Sequence, residues 1–266
     1  MMEQRSFLTL GDGTRVAYRL DGEPNLPVLV LSNSIGTALE MWSDDTPEFA
    51  KHFRVLRYDM RGHGASDVPD GAYSLPRLGR DVVEMMDALG IERAHFLGLS
   101  LGGFVGQWLG IHAPERIDRL VLSNTSSYLG PAEQIDERIL SVRDPANLSE
   151  TAETFLRNWF PPSMLRDREP AVETFREMLL AMNPHGIAAS LAAVRDTDLR
   201  RTISLIERPT LVIAGRDDTV TAASHGELIA ATIAGARLVV LPTVHLPNVE
   251  RPREFREAVL EFLSSR

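Results

Sequence analysis

The chain of 266 residues contains no cysteine. That excludes disulfides, thiol nucleophiles and metal sites built on thiolate. Stability must come from a buried core, which a chain of this length can assemble unaided, and the missing thiols fit residence in the cytoplasm. No window approaches the ~18 consecutive apolar residues of a membrane-spanning helix. The opening segment MMEQRSFLTLGDGTRVAY has acidic and polar residues where a secretory leader needs a basic start and an apolar run. Lysine is almost absent and the net charge is −9. A surface of that sign repels nucleic acid and anionic membrane, so neither is expected as a partner. Also missing are an H-E-x-x-H pattern, a carboxylate cluster and a glycine-rich dinucleotide or phosphate loop, so no metal and no cofactor are expected. With 44% hydrophobic and 24% charged residues, the composition is that of a globular protein.

What is present is an alternation. SFLTL (6–10) and RVAYRL (15–20) flank GDGT, a hairpin signal. PVLVLSN (27–33) is a short, continuous, β-branched run, as expected of a strand covered on both faces, and FRVLRYD (53–59), AHFLGL (94–99) and RLVLSNT (119–125) are read as further strands. Helical spacing separates them over 41–52, over SLPRLGRDVVEMMDALG with its apolar face at Leu78, Val82, Met85, Met86 and Leu89, and over 100–112. Between about 126 and 205 helix formers interrupted by proline dominate, and no buried-strand run appears. Alternation resumes with PTLVIAG (209–215), a helix near 222–233, ARLVVLP (236–242) and a closing helix PREFREAVLEFLSS. The expected class is α/β: a mostly parallel eight-stranded sheet flanked by helices. Its core is expected over 1–126 and 207–266, with a helical cap inserted over 127–206.

One stretch demands explanation. In HFLGLSLGGFVG a serine leaves a buried strand and opens a helix, with Gly98, Gly102 and Gly103 around it. The pattern G-x-S-x-G is weak alone, but strand–serine–helix is the context of a nucleophile elbow, which exposes the hydroxyl on a sharp turn. The backbone N–H of Leu101, at the helix start, then points at any oxyanion forming beside Ser100. A serine hydroxyl needs a base, and the base an orienting acid. Of seven histidines, His245 in LPTVHLPNVERP follows the last strand and returns to the elbow. Asp218 in VIAGRDDTV follows the strand before it, and the spacing from Gly215 favours it over Asp217, which is assigned to capping the next turn. A second oxyanion amide is expected from Ile35 in SNSIGTALEMW; the competing reading is a helix-entry loop capped by Asn33 or Ser34. His63 in YDMRGHGASD, His95 and His112 are read as structural, and Trp42 as core.

At LSNSIGTALEMW, HFRVLRYDMRGHGASDVP, GLSLGGFVGQ, RNWF and AGRDDTVTA…VHLPNVERP the chain resembles the α/β-hydrolases and, more narrowly, the 3-oxoadipate enol-lactonases. The resemblance runs end to end, and the loop Asn33-Ser34-Ile35-Gly36 stands where lipases carry His-Gly. It implies a serine hydrolase of aromatic-acid catabolism that opens a small anionic lactone with water, through Ser100, His245 and Asp218, without a cofactor. It leaves open whether Ser100 forms an acyl-enzyme or His245 activates water directly. For the substrate carboxylate it implies a cationic partner in the cap, with Arg138, Arg143 and Arg157 as candidates, and an aromatic wall at Trp159. Other ester, C–C bond or perhydrolase chemistry on the same core is the alternative, and a non-catalytic ligand-binding member of the fold is a further one. A homo-oligomer is compatible with all of this.

Overall fold

The computed structural model describes residues 5–265; Met1–Gln4, part of the opening segment, and Arg266 lie outside it. β1 (Ser6–Thr9) and β2 (Arg15–Asp21) form the antiparallel hairpin that GDGT predicts. β3 (Val28–Ser32), β4 (Arg54–Tyr58), β5 (Ala94–Leu99), β6 (Ile117–Ser123), β7 (Thr210–Gly215) and β8 (Arg237–Leu241) run parallel beyond it. The order is β1-β2-β4-β3-β5-β6-β7-β8. Successive side chains point to opposite faces. Val30, Leu56, Phe96 and Leu122 therefore join one buried cluster, and Leu29, Val55, Leu97 and Val121 the other. Burial on both faces is why β3, β5 and β7 read as apolar runs, while β4 and β6 keep charged residues such as Arg54, Arg57, Asp118 and Arg119.

The single helix expected over 41–52 is instead a 3₁₀ turn, Leu39–Trp42, followed by the short α1 (Thr46–Phe49). Pro47 has no N–H to continue a helix through that point, so the chain restarts there. α2 (Leu75–Ala88) begins at Ser74, whose hydroxyl accepts from the Arg77 N–H, and buries the predicted face. α3 (Leu101–His112) is buried along almost its whole length, packed on β5 and β6. Between β6 and β7 the described chain is helical: α4 (Ala132–Arg143), α5 (Leu148–Trp159), α6 (Pro162–Arg166), α7 (Pro170–Leu180) and α8 (Pro184–Arg195). α4 packs along α8, and α5 along α7. α9 (Ala223–Thr232), α10 (Pro247–Glu250) and α11 (Pro252–Ser264) complete the chain. Among the described residues no helix is long and apolar enough to cross a membrane.

From β3 the chain moves outward to β4, then returns to β5 on the other side of β3. In open α/β sheets such a reversal leaves a crevice at the carboxyl ends of the flanking strands. The residues after β3 and β5, Ile35 and Ser100 among them, border it.

Candidate active site

β5 ends at Leu99, and Ser100 takes φ 56° and ψ −113°. A non-glycine residue held there costs ~1–3 kcal/mol of backbone strain. Neighbours hold it: the Ser100 N–H donates to Ser123 O at 3.0 Å, and Thr125 Oγ1 donates to Ser100 O at 2.7 Å. The glycines make the approach feasible. A Cβ on Gly98 would collide with the Gly102 backbone, one on Gly102 with the Ser32 carbonyl, and one on Gly103 with the Thr125 side chain. Strand, turn and helix close on one another only because those side chains are absent.

The amides around the serine divide into engaged and available. Gly102 N–H donates to Asn33 O (2.9 Å), and Gly36 N–H to His63 Nε2 (2.9 Å). The amides of Ile35 and Leu101 have no partner among the described residues, and both residues line the cavity that holds Ser100. Gly36, at φ +75°, turns the loop after β3. Asn33 does not cap a helix as its alternative reading supposed. Its Oδ1 accepts from Trp42 Nε1 (2.8 Å) and its Nδ2 donates to Tyr58 O (3.0 Å), fixing the loop from below.

The loops after β7 and β8 bring Asp218 and His245 together. His245 Nδ1 lies 2.8 Å from Asp218 Oδ2, with the two residues 1% and 4% exposed. A carboxylate accepts, so Nδ1 carries the proton and Nε2 keeps its lone pair. Oδ2 also accepts from Asn124 Nδ2 (3.0 Å) and Thr221 Oγ1 (2.8 Å), and Oδ1 accepts from the Val220 and Thr221 amides. Burial alone would raise the Asp218 pKa; the adjacent imidazole and these donors outweigh it and hold the carboxyl at about 2. Asp217 is exposed, and the turn-capping role expected of it falls to Asp218 Oδ1.

Ser100 and His245 line one cavity of about 560 Å³, whose lining also includes residues of α4, α5 and α8. The chain matches the alpha/beta hydrolase fold family over residues 27–252. The chain belongs to the α/β-hydrolase family. It is similar to 3-oxoadipate enol-lactonase 2 of Acinetobacter baylyi, 38% identical over 91% of this chain and 90% of that protein. Among solved structures it superposes on a hydrolase from Pseudomonas aeruginosa PA01 at 64% identity and TM-score 0.98, covering 100% of both chains. The enol-lactonase from Burkholderia xenovorans LB400 follows at 37% identity and TM-score 0.95, over 98% of this chain and 100% of that one. By this kinship the chain is an enzyme of the ester-hydrolase kind.

The cap residues separate on geometry. Arg138 and Trp159 line this hydrolase's cavity. Arg143 and Arg157 do not, and Arg157 donates to Thr154 on its own helix; all three arginines are exposed, so it is the face of the helix that separates them. On α4 the buried residues Ile135 and Val142 mark the inward face, and Arg138 shares it at i+3 and i−4 while Arg143 is turned away. On α5 the lining residues Thr151, Phe155 and Asn158 set the face, and Arg157 falls outside it. That periodicity was available in the sequence. Trp42 is fully buried core, as read. Two residues carry more than their sequence reading. His63 accepts the Gly36 N–H, and Asn124 links the acid to the histidine loop by donating to both Asp218 and Val244 O.

Proposed function

We propose that this hydrolase opens 3-oxoadipate enol-lactone with water to give 3-oxoadipate, in the β-ketoadipate pathway of aromatic catabolism. The observation that carries the catalytic part is the buried His245–Asp218 hydrogen bond beside the cavity that holds Ser100. Similarity to two enol-lactonases over nearly the whole chain supports the substrate.

In this reading His245 Nε2 takes the Ser100 proton as Oγ attacks the lactone carbonyl. The oxyanion accepts from the free amides of Ile35 and Leu101. When the ring C–O bond breaks, the enolate oxygen leaves with the proton held by His245, and the enol tautomerises to a ketone. Water, deprotonated by His245, then cleaves the acyl-Ser100 ester. Asp218 stays ionised and holds the imidazole in the tautomer that keeps Nε2 unprotonated. Arg138 is the guanidinium lining the cavity among the described residues, and no carboxylate there pairs with it. It therefore supplies the cation that an anionic substrate needs in a protein of net charge −9, with Trp159 as wall and the insertion over 127–206 as lid.

The test is loss of enol-ester absorbance on mixing freshly generated enol-lactone with wild type and with Ser100→Ala. Turnover abolished by the substitution supports substrate and nucleophile together. Hydrolysis of simple aryl esters without lactone turnover keeps the nucleophile and removes the substrate.

A further inference from the structure

The cavity is larger and more apolar than a small lactone acid requires. At about 560 Å³ it has room for on the order of twenty water-sized groups, in the range of sites that enclose drug-sized ligands. A lactone ring with a carboxymethyl arm has about half as many non-hydrogen atoms, so roughly half the space is left over. The polarity of the lining is graded. Gln134, Arg138, Glu150 and Thr154 are exposed and form the rim, whereas Phe104, Ile135, Val142, Trp159, Leu191 and Val194 are buried. Among the buried side chains that line the cavity Ser100, His245 and Thr151 are polar and the rest are hydrocarbon or aromatic, while the half-buried Tyr128, Asn158 and His225 add polar atoms to the wall. Water held against the apolar part of this lining, between Phe104, Ile135, Val142, Leu191 and Val194, finds few partners, and an apolar substituent that displaces it gains the free energy of its own burial.

The geometry points to a further substrate class at the same site: γ-lactones bearing an unbranched alkyl chain on the carbon that carries the ring oxygen. The carboxymethyl arm of the proposed substrate occupies that ring position, so the reacting carbonyl keeps its place against Ser100 while the chain fills the apolar chamber. This rests on Ser100 and His245 acting as a hydrolytic pair, and not on the identity of the natural lactone. The reaction balances without a co-reactant. One water adds across the acyl C–O bond, the ring oxygen leaves as a hydroxyl, and the 4-hydroxy acid releases one proton at neutral pH.

The proton release is followed in a pH-stat for γ-valerolactone, γ-hexalactone and γ-octalactone, with Ser100→Ala as blank and 3-oxoadipate enol-lactone in parallel. Burial of each methylene is expected to raise kcat/KM about threefold to fourfold. The advantage of γ-octalactone over γ-valerolactone should collapse in Val142→Trp, which fills the chamber. A flat or falling wild-type series, or a slope unaffected by Val142→Trp, overturns the inference, and the wild-type series decides it even where the tryptophan variant does not fold. Turnover of the alkyl series without the enol-lactone acid keeps this inference and removes the proposed natural substrate. The reverse result removes this inference alone, and no Ser100-dependent turnover of either removes both.

Discussion

His63 is a buried imidazole whose two nitrogens do different work, and replacing it tests whether the loop carrying Ile35 must be held. Nδ1 lies 3.1 Å from Arg61 O, so it donates; Nε2 therefore accepts, and its partner is the Gly36 N–H at 2.9 Å. Burial holds the ring neutral, pushing its pKa down to about 4. In His63→Phe a ring of similar size remains but the acceptor is gone. The Gly36 amide is left buried without a partner, a loss of ~1–3 kcal/mol unless the peptide turns to find another acceptor. Turning that peptide also tilts the next one back along the chain and takes the Ile35 N–H off the oxyanion position proposed for it. Removing an oxyanion donor outright costs ~10²–10³ in kcat, so a tilt should cost ~10–100-fold. Because the donor acts on charge that develops only in the transition state, KM should change by less than about twofold. His63→Gln, which offers a carbonyl acceptor, should recover most of the loss. Steady-state kinetics on an aryl acetate, with circular dichroism to establish folding, decides it. An unimpaired kcat in the folded phenylalanine variant, a loss confined to KM, or a glutamine variant no better than phenylalanine would refute the reasoning.

The same side chain makes a stability prediction with a definite sign. The unfolded histidine takes a proton near pH 6.5 and the folded one only near 4, so between those values the unfolded state binds more protons and wild type loses stability as pH falls. Urea unfolding of wild type and His63→Phe at pH 7 and pH 4 should show the gap between them shrinking by about 3 kcal/mol; a constant gap contradicts a buried neutral imidazole. Asp59 opposes this trend in wild type, because burial raises its pKa to about 6 and its folded form gains protons, and stability, as pH falls from 6 toward 4. For the acid, Asn124→Ala should lower kcat/KM by on the order of tenfold through loss of a hydrogen bond to a charged group. Asn124→Asp should lower it further and move the acid limb of the pH–rate profile upward, since a second carboxylate beside Asp218 raises the pKa of the pair; an aspartate variant as active as the alanine one rejects this. Finally, Arg138→Gln should raise KM for the anionic lactone by about tenfold while leaving KM for a neutral aryl acetate within twofold, and equal effects on both would remove Arg138 from carboxylate binding.

The sheet was legible because both of its faces are buried. A strand covered on two sides has no polar alternation to obscure it, so Val28–Ser32, Ala94–Leu99 and Thr210–Gly215 stand out as runs. The elbow was legible for a different reason: Gly98, Gly102 and Gly103 record places where backbone meets backbone or Thr125, and only glycine fits. The stretch 41–52 misled because Met41, Trp42 and Phe49 have helical spacing, yet they are buried from two separate short turns divided ahead of Pro47. His63 reads as structural, and it is buried and hydrogen-bonded, but the partners of His63 and Asn124 could not be read from the sequence. Each acts on a backbone group 27 or 120 residues away, and no local pattern encodes such a partner.

Those long-range bonds divide the molecule into a part that is fixed and a part that is free to vary. Each loop at the carboxyl edge is tied to another by a buried polar side chain. His63 holds Gly36, Asp59 holds the Leu39 amide, and Asn248 on α10 reaches back to Met41 O. Asn124 spans the acid and histidine loops. A hydrogen bond between buried groups has narrow geometry and a penalty when unmade, so such ties hold their partners closely. The insertion meets the loop after β3 through softer contacts. Leu179 and Trp159 stand against Gly36, and the Met178 sulfur accepts the Ala38 N–H at 3.0 Å. Thioether and hydrocarbon tolerate displacement, and volume-conserving changes among them cost little. Substitutions at cavity-facing positions of α4, α5 and α8 should therefore change which lactone is preferred by large factors while leaving single-turnover hydrolysis of the preferred one nearly constant. Substitutions at His63, Asp59 or Asn124 should lower turnover of every substrate alike. If cap substitutions depressed all substrates equally, specificity and catalysis would not be separable along this line, and the division drawn from the bonding pattern would fail.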